Sequence, residues 1–538
     1  MSISSQFSLS DFEAAVLIVL EPPSNAAAKP RFDAASAYIQ SLSARSDAYI
    51  LALHLLDATA HGAARFFALQ ALAQYVGGTG STAPARAVVR GALIAWCRAR
   101  GAALATDPPF VRAKLALSLA LCIKRDYPET APTAVRELVG LALEGAATRT
   151  LAGAACADVA ARALQAVHDE VVDPRVNRPA EELAHNMLVK DALRAGGGAD
   201  VNAVAAAWLS ALDSYIADEV GFREISSSAS SIAAAAAAAA TTTISATDAA
   251  NSSAATLAIR LHHDTARMTL NVMAAWADWC DATLFCSPLL SSRYLALLHT
   301  RAARSAVAGL LSALVKKGMG ARSRLSLLRA LGIVDIAATA AAAVVAALTP
   351  LAVPGARDDP TPYGRSGSDD DANFGEATAE LLGEVGTALY AGAASAASDG
   401  ATAMAQGGDA VTVAAARDDF DWASGALRII VPAALALFEV APWDIGVGLS
   451  VFSVLEDLIR VVARSTRPKT AVAAAAGTPG GISLRGGGGG DNVNAAKTSL
   501  PARRLLRPLA TRPWLPLDTS APLTAASLAA SLSLVRGR

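Results

Sequence analysis

Few residues in this chain have the type and spacing to do chemistry. His262 and His263, followed by Asp264, are the only adjacent histidines. Adjacent side chains on a helix point about 100° apart, so the two rings are poorly placed to share a metal ion. His54 and His61 are two helical turns apart, but the second stands beside Gly62 at a helix start. The stretch "GTGSTA" (Gly78–Ala83) has the outline of a dinucleotide-binding fingerprint. It follows a helical pattern where that fingerprint needs a strand, so it reads as a turn between helices. No GxxxxGK[ST], HExxH or GxSxG pattern occurs. The cysteines at 97, 122, 156, 280 and 286 form no CxxC pair, which argues against a zinc site or a disulfide framework and for a reducing compartment. These readings leave no catalytic centre, metal or cofactor. The densest polar chemistry is "VHDEVVDPRVNRPAEELAHNMLVKDALR", residues 167–194. There Glu182, Asn186, Lys190 and Arg194 lie four apart and form one polar ridge, with Leu183, Met187, Leu188 and Ala192 expected to face the neighbours. A solvated helix face with i,i+4 ion pairing would have the same pattern.

The elements that carry these residues read as helices. Apolar positions recur at helical spacing over 32–43, 47–60, 63–76, 84–100, 109–126, 132–144, 151–172 and 181–194, with Gly or Pro between most of them. Further helices are expected at 201–219, 257–284, 293–316, 321–346, 374–396, 421–440 and 444–464. A succession of such segments joined by short loops, with no strand between them, predicts an all-α fold: an α-solenoid of HEAT-like antiparallel helix pairs. Low-complexity insertions near 226–255 and 354–374, and everything from 465 onward, read as disordered. The run 337–353 is short, alanine-dominated and contains Pro350, so it reads as a buried helix and not a membrane span.

Composition agrees. Of the 538 residues, 53% are hydrophobic and only 5% aromatic; alanine makes up the excess and favours helix while burying little area. Lys and Arg total 46 against 47 Asp and Glu, so no overall basic footprint marks a nucleic-acid binder. The charge is uneven, however. From Arg464 to Arg538 the bases are opposed only by Asp491 and Asp518. The first residues lack the basic flank of a signal peptide.

Three segments then resemble one family. "HGAARFFALQALAQYV" (61–76) followed by "PPFVRAKLALSLALCIKRDYPET" (108–130) resembles the N-terminal importin-β/exportin region of karyopherins. In it Phe66, Phe67, Leu69 and Leu72 are expected to form a buried stripe, and Pro128 to end the long helix. Residues 169–194, and "RMTLNVMAAWADWCDATLFCSPLL" (267–290) with 305–328 behind it, resemble the tRNA exportin (exportin-T) family. Trp276 and Trp279 share a helix face there and read as core aromatics. Ala131-Pro132 stands where karyopherins usually carry Trp-Pro, and tRNA exportins run much longer than this chain.

The resemblance implies a nuclear export receptor that takes Ran-GTP and tRNA together and releases tRNA on GTP hydrolysis. It would be a monomer outside the membrane that meets nucleoporins and shuttles between nucleus and cytoplasm. By this resemblance, residues 7–150 would be the Ran-binding HEAT region, 151–464 further repeats and 465–538 a basic tail. Ran would lie on the second helix of each pair, at 47–60, 84–100 and 132–144, with Asp47, His54, Asp57, Arg90, Trp96, Arg136 and Glu137 as candidates. For tRNA phosphates the clustered bases Lys124, Arg125, Lys190, Arg194, Lys316, Lys317 and Arg322 are the candidates. Arg112 and Lys114, on a mostly apolar helix, read as structural. A karyopherin with protein cargo, or a HEAT scaffold that binds neither Ran nor tRNA, are the alternatives.

Overall fold

The computed structural model describes residues 8–23, 25–148, 150–194, 198–217, 246–348 and 369–440. Among these residues every regular element is helical, arranged as HEAT-like pairs, and the all-α solenoid class is the fold class observed. The chain divides into two compact units, 1–285 and 286–538.

In the first unit the helices are α1 (Leu9–Leu20), α2 (Lys29–Ser43), α3 (Ala48–Ala58), α4 (Gly62–Gly77), α5 (Ala83–Arg100), the single turn α6 (Ala103–Thr106), α7 (Pro109–Asp126), α8 (Ala134–Thr148), α9 (Leu151–Val171), α10 (Ala180–Arg194), α11 (199–217) and α12 (Ala246–Ala277). Local chemistry sets their starts. Ser8, Thr82 and Thr150 accept hydrogen bonds from Asp11, Ala85 and Gly153 amides at the starts of α1, α5 and α9, satisfying donors with no partner inside the helix. Pro109 opens α7, where a missing amide costs nothing.

Helices α4, α7, α9 and α12 pack in succession, while α3, α5 and α8 lie against α4, α7 and α9. Leu69 and Leu72, Leu115 and Leu119, Val159 and Leu164, and Met273 and Trp276 carry the core along that row. Alanine does much of the work in α9, because small side chains let α8 come close. A Cβ at Gly145 or at Gly153 would collide with backbone of the facing helix.

The second unit holds α13 (Pro288–Leu298), α14 (Arg304–Lys316), α15 (Ala321–Leu331), α16 (Ile333–Leu348), α17 (Asp369–Ala405) and α18 (Ala410–Val440). Helix α17 packs against α14, α15, α16 and α18, around Leu310, Leu314, Leu381 and Leu389. Gly332, at φ +61°, ends α15 and bends the path by 62° into α16, a conformation glycine adopts without a Cβ clash. The expected helix 321–346 is therefore two helices, and 293–316 is likewise broken, at His299–Ala303. Residues 410–437 are long and apolar enough to cross a membrane, but 44% of their most apolar stretch is buried in the fold.

Other expectations need correction. Helix α12 begins at Ala246 and α17 at Asp369, inside the stretches read as disordered. Phe66 and Phe67 are only half-buried. The inner face of α4 is made by Arg65, Ala68, Leu69, Leu72 and Val76 at helical spacing, which puts the two rings on its flanks. The expected helix 444–464, the tail from 465 and most of the two insertions lie outside the described residues.

One regularity is electrostatic. Arg90 pairs with Glu137, Arg98 with Glu144, Arg112 with Asp158 and Lys124 with Glu170, at separations of 47, 46, 46 and 46 residues. That constant offset has the length of a helical repeat. Each pair ties a helix of one repeat to its counterpart in the next.

Candidate partner-binding surfaces

The seven residues considered for Ran sit on or beside α3, α5 and α8. His54 and Asp57 are one turn apart on α3 and exposed. Asp47, just before α3, pairs with Arg45 at 2.7 Å, and that hydrogen bond holds its carboxyl below the usual range. Arg90 and Glu137 are brought together, Nε to Oε2 at 2.9 Å. Burial pushes the Glu137 carboxyl up, but bonds from Thr133 and Arg90 outweigh it and hold it low. Trp96 is half-buried, with the Arg100 guanidinium 5.8 Å from its ring centroid. Arg136 reaches Asp200 at 2.6 Å, and the other Asp200 oxygen accepts from the Tyr127 hydroxyl at 2.8 Å. The structure thus joins two of the seven directly.

The bases considered for tRNA have partners within the chain, although Arg125, Arg194, Lys316 and Arg322 are exposed. Lys124 is buried and bonds Glu170 at 2.9 Å and Glu182 at 2.7 Å. Arg125 donates to the Gly77 and Gly78 carbonyls at the end of α4. Lys190 and Arg194 lie over the Trp279 ring, at 6.0 and 5.4 Å from its centroid, and Arg194 also bonds the Trp279 carbonyl. In the second unit Lys316 bonds Glu380 and lies 3.7 Å from Glu384, Arg322 bonds Asp419 at 3.0 Å, and the Lys317 carbonyl accepts from Arg324. Arg112 and Lys114 behave as expected of structural residues. Arg112 is locked against Asp158, and the Lys114 ammonium stands 5.3 Å from the centre of the Phe66 ring. Sequence reasoning missed the partner carboxylates Asp158, Glu170 and Asp200. For the first two the 46-residue offset from a base was the available signal.

Helix α10 reverses the expected orientation. Leu183, Met187 and Leu188 are 46, 64 and 59% exposed, whereas Asn186, Val189 and Leu193 are buried. The ridge is turned toward its neighbours: Asn186 is buried, Glu182 and Lys190 are half-buried, and Arg194, though exposed, lies over the Trp279 ring. Besides the Lys124–Glu182 pair, Asn186 Nδ2 donates to the Glu170 carbonyl at 3.1 Å, and His185 Nε2 lies 2.6 Å from the Lys124 carbonyl. The cause is the buried ammonium. Depriving a buried ion of its partner costs about 3–5 kcal/mol, while a half-exposed Leu or Met forgoes only part of the ~1.5–3 kcal/mol of full burial. Lys124 in turn holds the Glu182 carboxyl below its usual range.

Trp276 and Trp279 are buried, as expected of core aromatics. Trp276 donates to the Leu164 carbonyl at 3.3 Å, and Trp279 Nε1 donates to His168 Nδ1 at 3.2 Å. Burial pushes the His168 pKa down. The ring stays neutral, with its proton on Nε2 and Nδ1 available as acceptor.

No curated protein matches the chain. Residues 108–311, from α7 into α14, match the family described as exportin 1-like protein. With the HEAT-like pairs and their repeat-length ion pairs, that match supports the importin-β/exportin superfamily without singling out the tRNA exportins.

Proposed function

We propose that this chain is an exportin-type nuclear transport receptor, binding Ran-GTP and a cargo together, shuttling through nuclear pores and performing no catalysis. The observation that carries the reading is the exportin 1-like match over 108–311, most of which falls on the packed helices α7 to α12 of the first unit. Ran would lie along α3, α5 and α8, with exposed His54 and Asp57 as its first contacts. Trp96 and Arg136 would follow, and the Arg90–Glu137 pair would open only if Ran supplied replacement charges. Asp47, paired with Arg45, would contribute through that pair. tRNA is the cargo implied by the resemblance of 169–194 and 267–290 to tRNA exportins, and nucleoporins are the transit partners.

One observation favours a second reading, in which the cargo is a protein. Lys124, Lys316 and Arg322 are already neutralised by carboxylates, so a phosphate would have to displace them. The experiment is a gel-shift titration of the full chain with tRNA, with and without Ran locked to GTP. Coupling is reciprocal, so Ran-GTP should tighten tRNA binding by the factor with which tRNA tightens Ran binding. Ran binding with unchanged tRNA affinity would select the protein-cargo reading. Loss of both would leave a HEAT scaffold.

A further inference from the structure

The outward face of α10 matches a partner of definite chemistry. On this helix Glu181, Ala184, Leu188 and Asp191 follow one another at spacings of three, four and three, one line along the surface. Leu183 and Met187 form the adjacent line. All six are exposed, and nothing among the described residues covers them. Glu181 and Asp191 make no hydrogen bond or ion pair there. Ten residues separate them, about 15 Å of helix. The patch is therefore apolar at its centre and has an unpaired carboxylate at each end. Its orientation is fixed, because the opposite face is tied down through Glu182, Asn186 and Arg194.

We infer that this face of α10 is a docking surface for an amphipathic helix of a partner protein, with apolar residues three and four apart and a Lys or Arg at each end. Charge selects that occupant. Two lone carboxylates around an apolar strip repel an acidic or phosphate-bearing ligand and give an uncharged one nothing at the ends. Within this chain, residues 218–245 carry Asp218, Glu219 and Glu224 against the single base Arg223, and the basic run 501–516 is interrupted by Pro501, Pro508, Pro513 and Pro516, so neither matches such a face. None of the six residues of the face is among those assigned to Ran or tRNA.

The test titrates the full chain, without Ran or RNA, into a fluorescent 16-residue helical peptide with leucines along one face and lysines at both ends, read by anisotropy. Two control peptides are used: the same leucines with glutamates at the ends, and a phenylalanine-glycine repeat. The lysine-ended peptide should bind at least tenfold more tightly than either control and slow amide exchange over 180–194. M187S/L188S should weaken it at least tenfold. E181K/D191K should reverse the preference in favour of the glutamate-ended peptide. All four substituted side chains are exposed, so circular dichroism should show an unchanged fold. Equal binding of the peptides, binding unaffected by either double variant, or no binding overturns the inference, the last also being the outcome if residues 218–245 occupy the face. Because Ran is absent, a failure here leaves the export reading standing, and the reverse holds as well.

Discussion

Replacing Asp158 with Ala separates the ion pairs that hold the repeat stack together from those that merely decorate it. Asp158 is fully buried, and one of its oxygens accepts from Arg112 Nε at 2.8 Å and from Arg162 Nε at 2.9 Å. Arg112 is 5% exposed and also donates to the Ala105 and Asp107 carbonyls, so it cannot follow its lost partner into water without giving those up. D158A strands a buried guanidinium, at a cost of about 3–5 kcal/mol. The Arg98–Glu144 pair has the same 46-residue offset but both side chains are about half exposed, and E144A should cost only about 0.2–1 kcal/mol. The assay is native-state amide exchange on the full chain, followed over 109–126 and 151–171, because repeat arrays need not unfold in one step. D158A should speed exchange of the slowest amides there by roughly two to three and a half orders of magnitude, and E144A by less than one. D158N, which keeps the shape and one acceptor oxygen, should fall between. If D158A and E144A behave alike, the stack is held by apolar packing alone and the ion-pair spine is wrong.

Other outcomes follow from the same contacts. K124M removes the ammonium between Glu170 and Glu182 and should raise amide exchange over 180–194 at least tenfold, with little change in α4. Burial lowers the His168 pKa in the folded chain, so between the ordinary value near 6.5 and that lower value the unfolded chain binds the proton first. Stability should therefore hold above about pH 6.5 and fall below it; tryptophan fluorescence across a melt series from pH 7.5 to 5 should show this, and H168Q should flatten it. The Glu182 carboxyl is also lowered, and its contribution should persist to lower pH, being lost only below about pH 4.3 as the depressed pKa is crossed. G145A drives a methyl into the α9 backbone and should cost about 1–3 kcal/mol. G140A on the same helix meets open space and should gain about 0.4–1 kcal/mol. Paired thermal melts check both.

The helices were legible because Ala, Leu and Val recur at helical spacing between Gly and Pro breakers, and boundaries such as Pro109 and Pro128 act through a single missing amide. Gly332 could not be distinguished by type from any other helix-end glycine, so α15 and α16 were read as one helix; only its positive φ reveals the bend. The α10 ridge was legible as a ridge but not in direction. Periodicity shows that polar and apolar residues occupy opposite faces, and burial usually assigns the apolar one inward. Here a buried Lys124 on another helix reversed that assignment, and no local pattern in 180–194 contains Lys124. The partners of the candidate bases were hidden for the same reason: clustering in sequence said nothing about carboxylates 46, 64 and 97 residues downstream of Lys124, Lys316 and Arg322, and only the first of these offsets matches the repeat length.

That internal pairing makes the salt dependence of RNA binding decisive. Binding through phosphates releases counterions, and log K falls with log salt at a slope of about −0.7 to −0.9 per neutralised phosphate. Seven bases each meeting a phosphate would give a slope of about −5 to −6. Lys124, Lys316 and Arg322 are held by carboxylates at 2.7–3.0 Å or closer, and a phosphate meeting them exchanges one anion for another with less net release. With four bases left, the slope should be about −3 to −4, and K124M should leave it unchanged. A slope near −6 that survives K124M would move the phosphate contacts away from these residues, toward the bases between Arg464 and Arg538. A slope near −6 that drops with K124M would mean that RNA displaces Glu170 and Glu182. Helix α10 would then have to release its anchor whenever cargo binds, and cargo would be coupled to the outward α10 face through a single lysine.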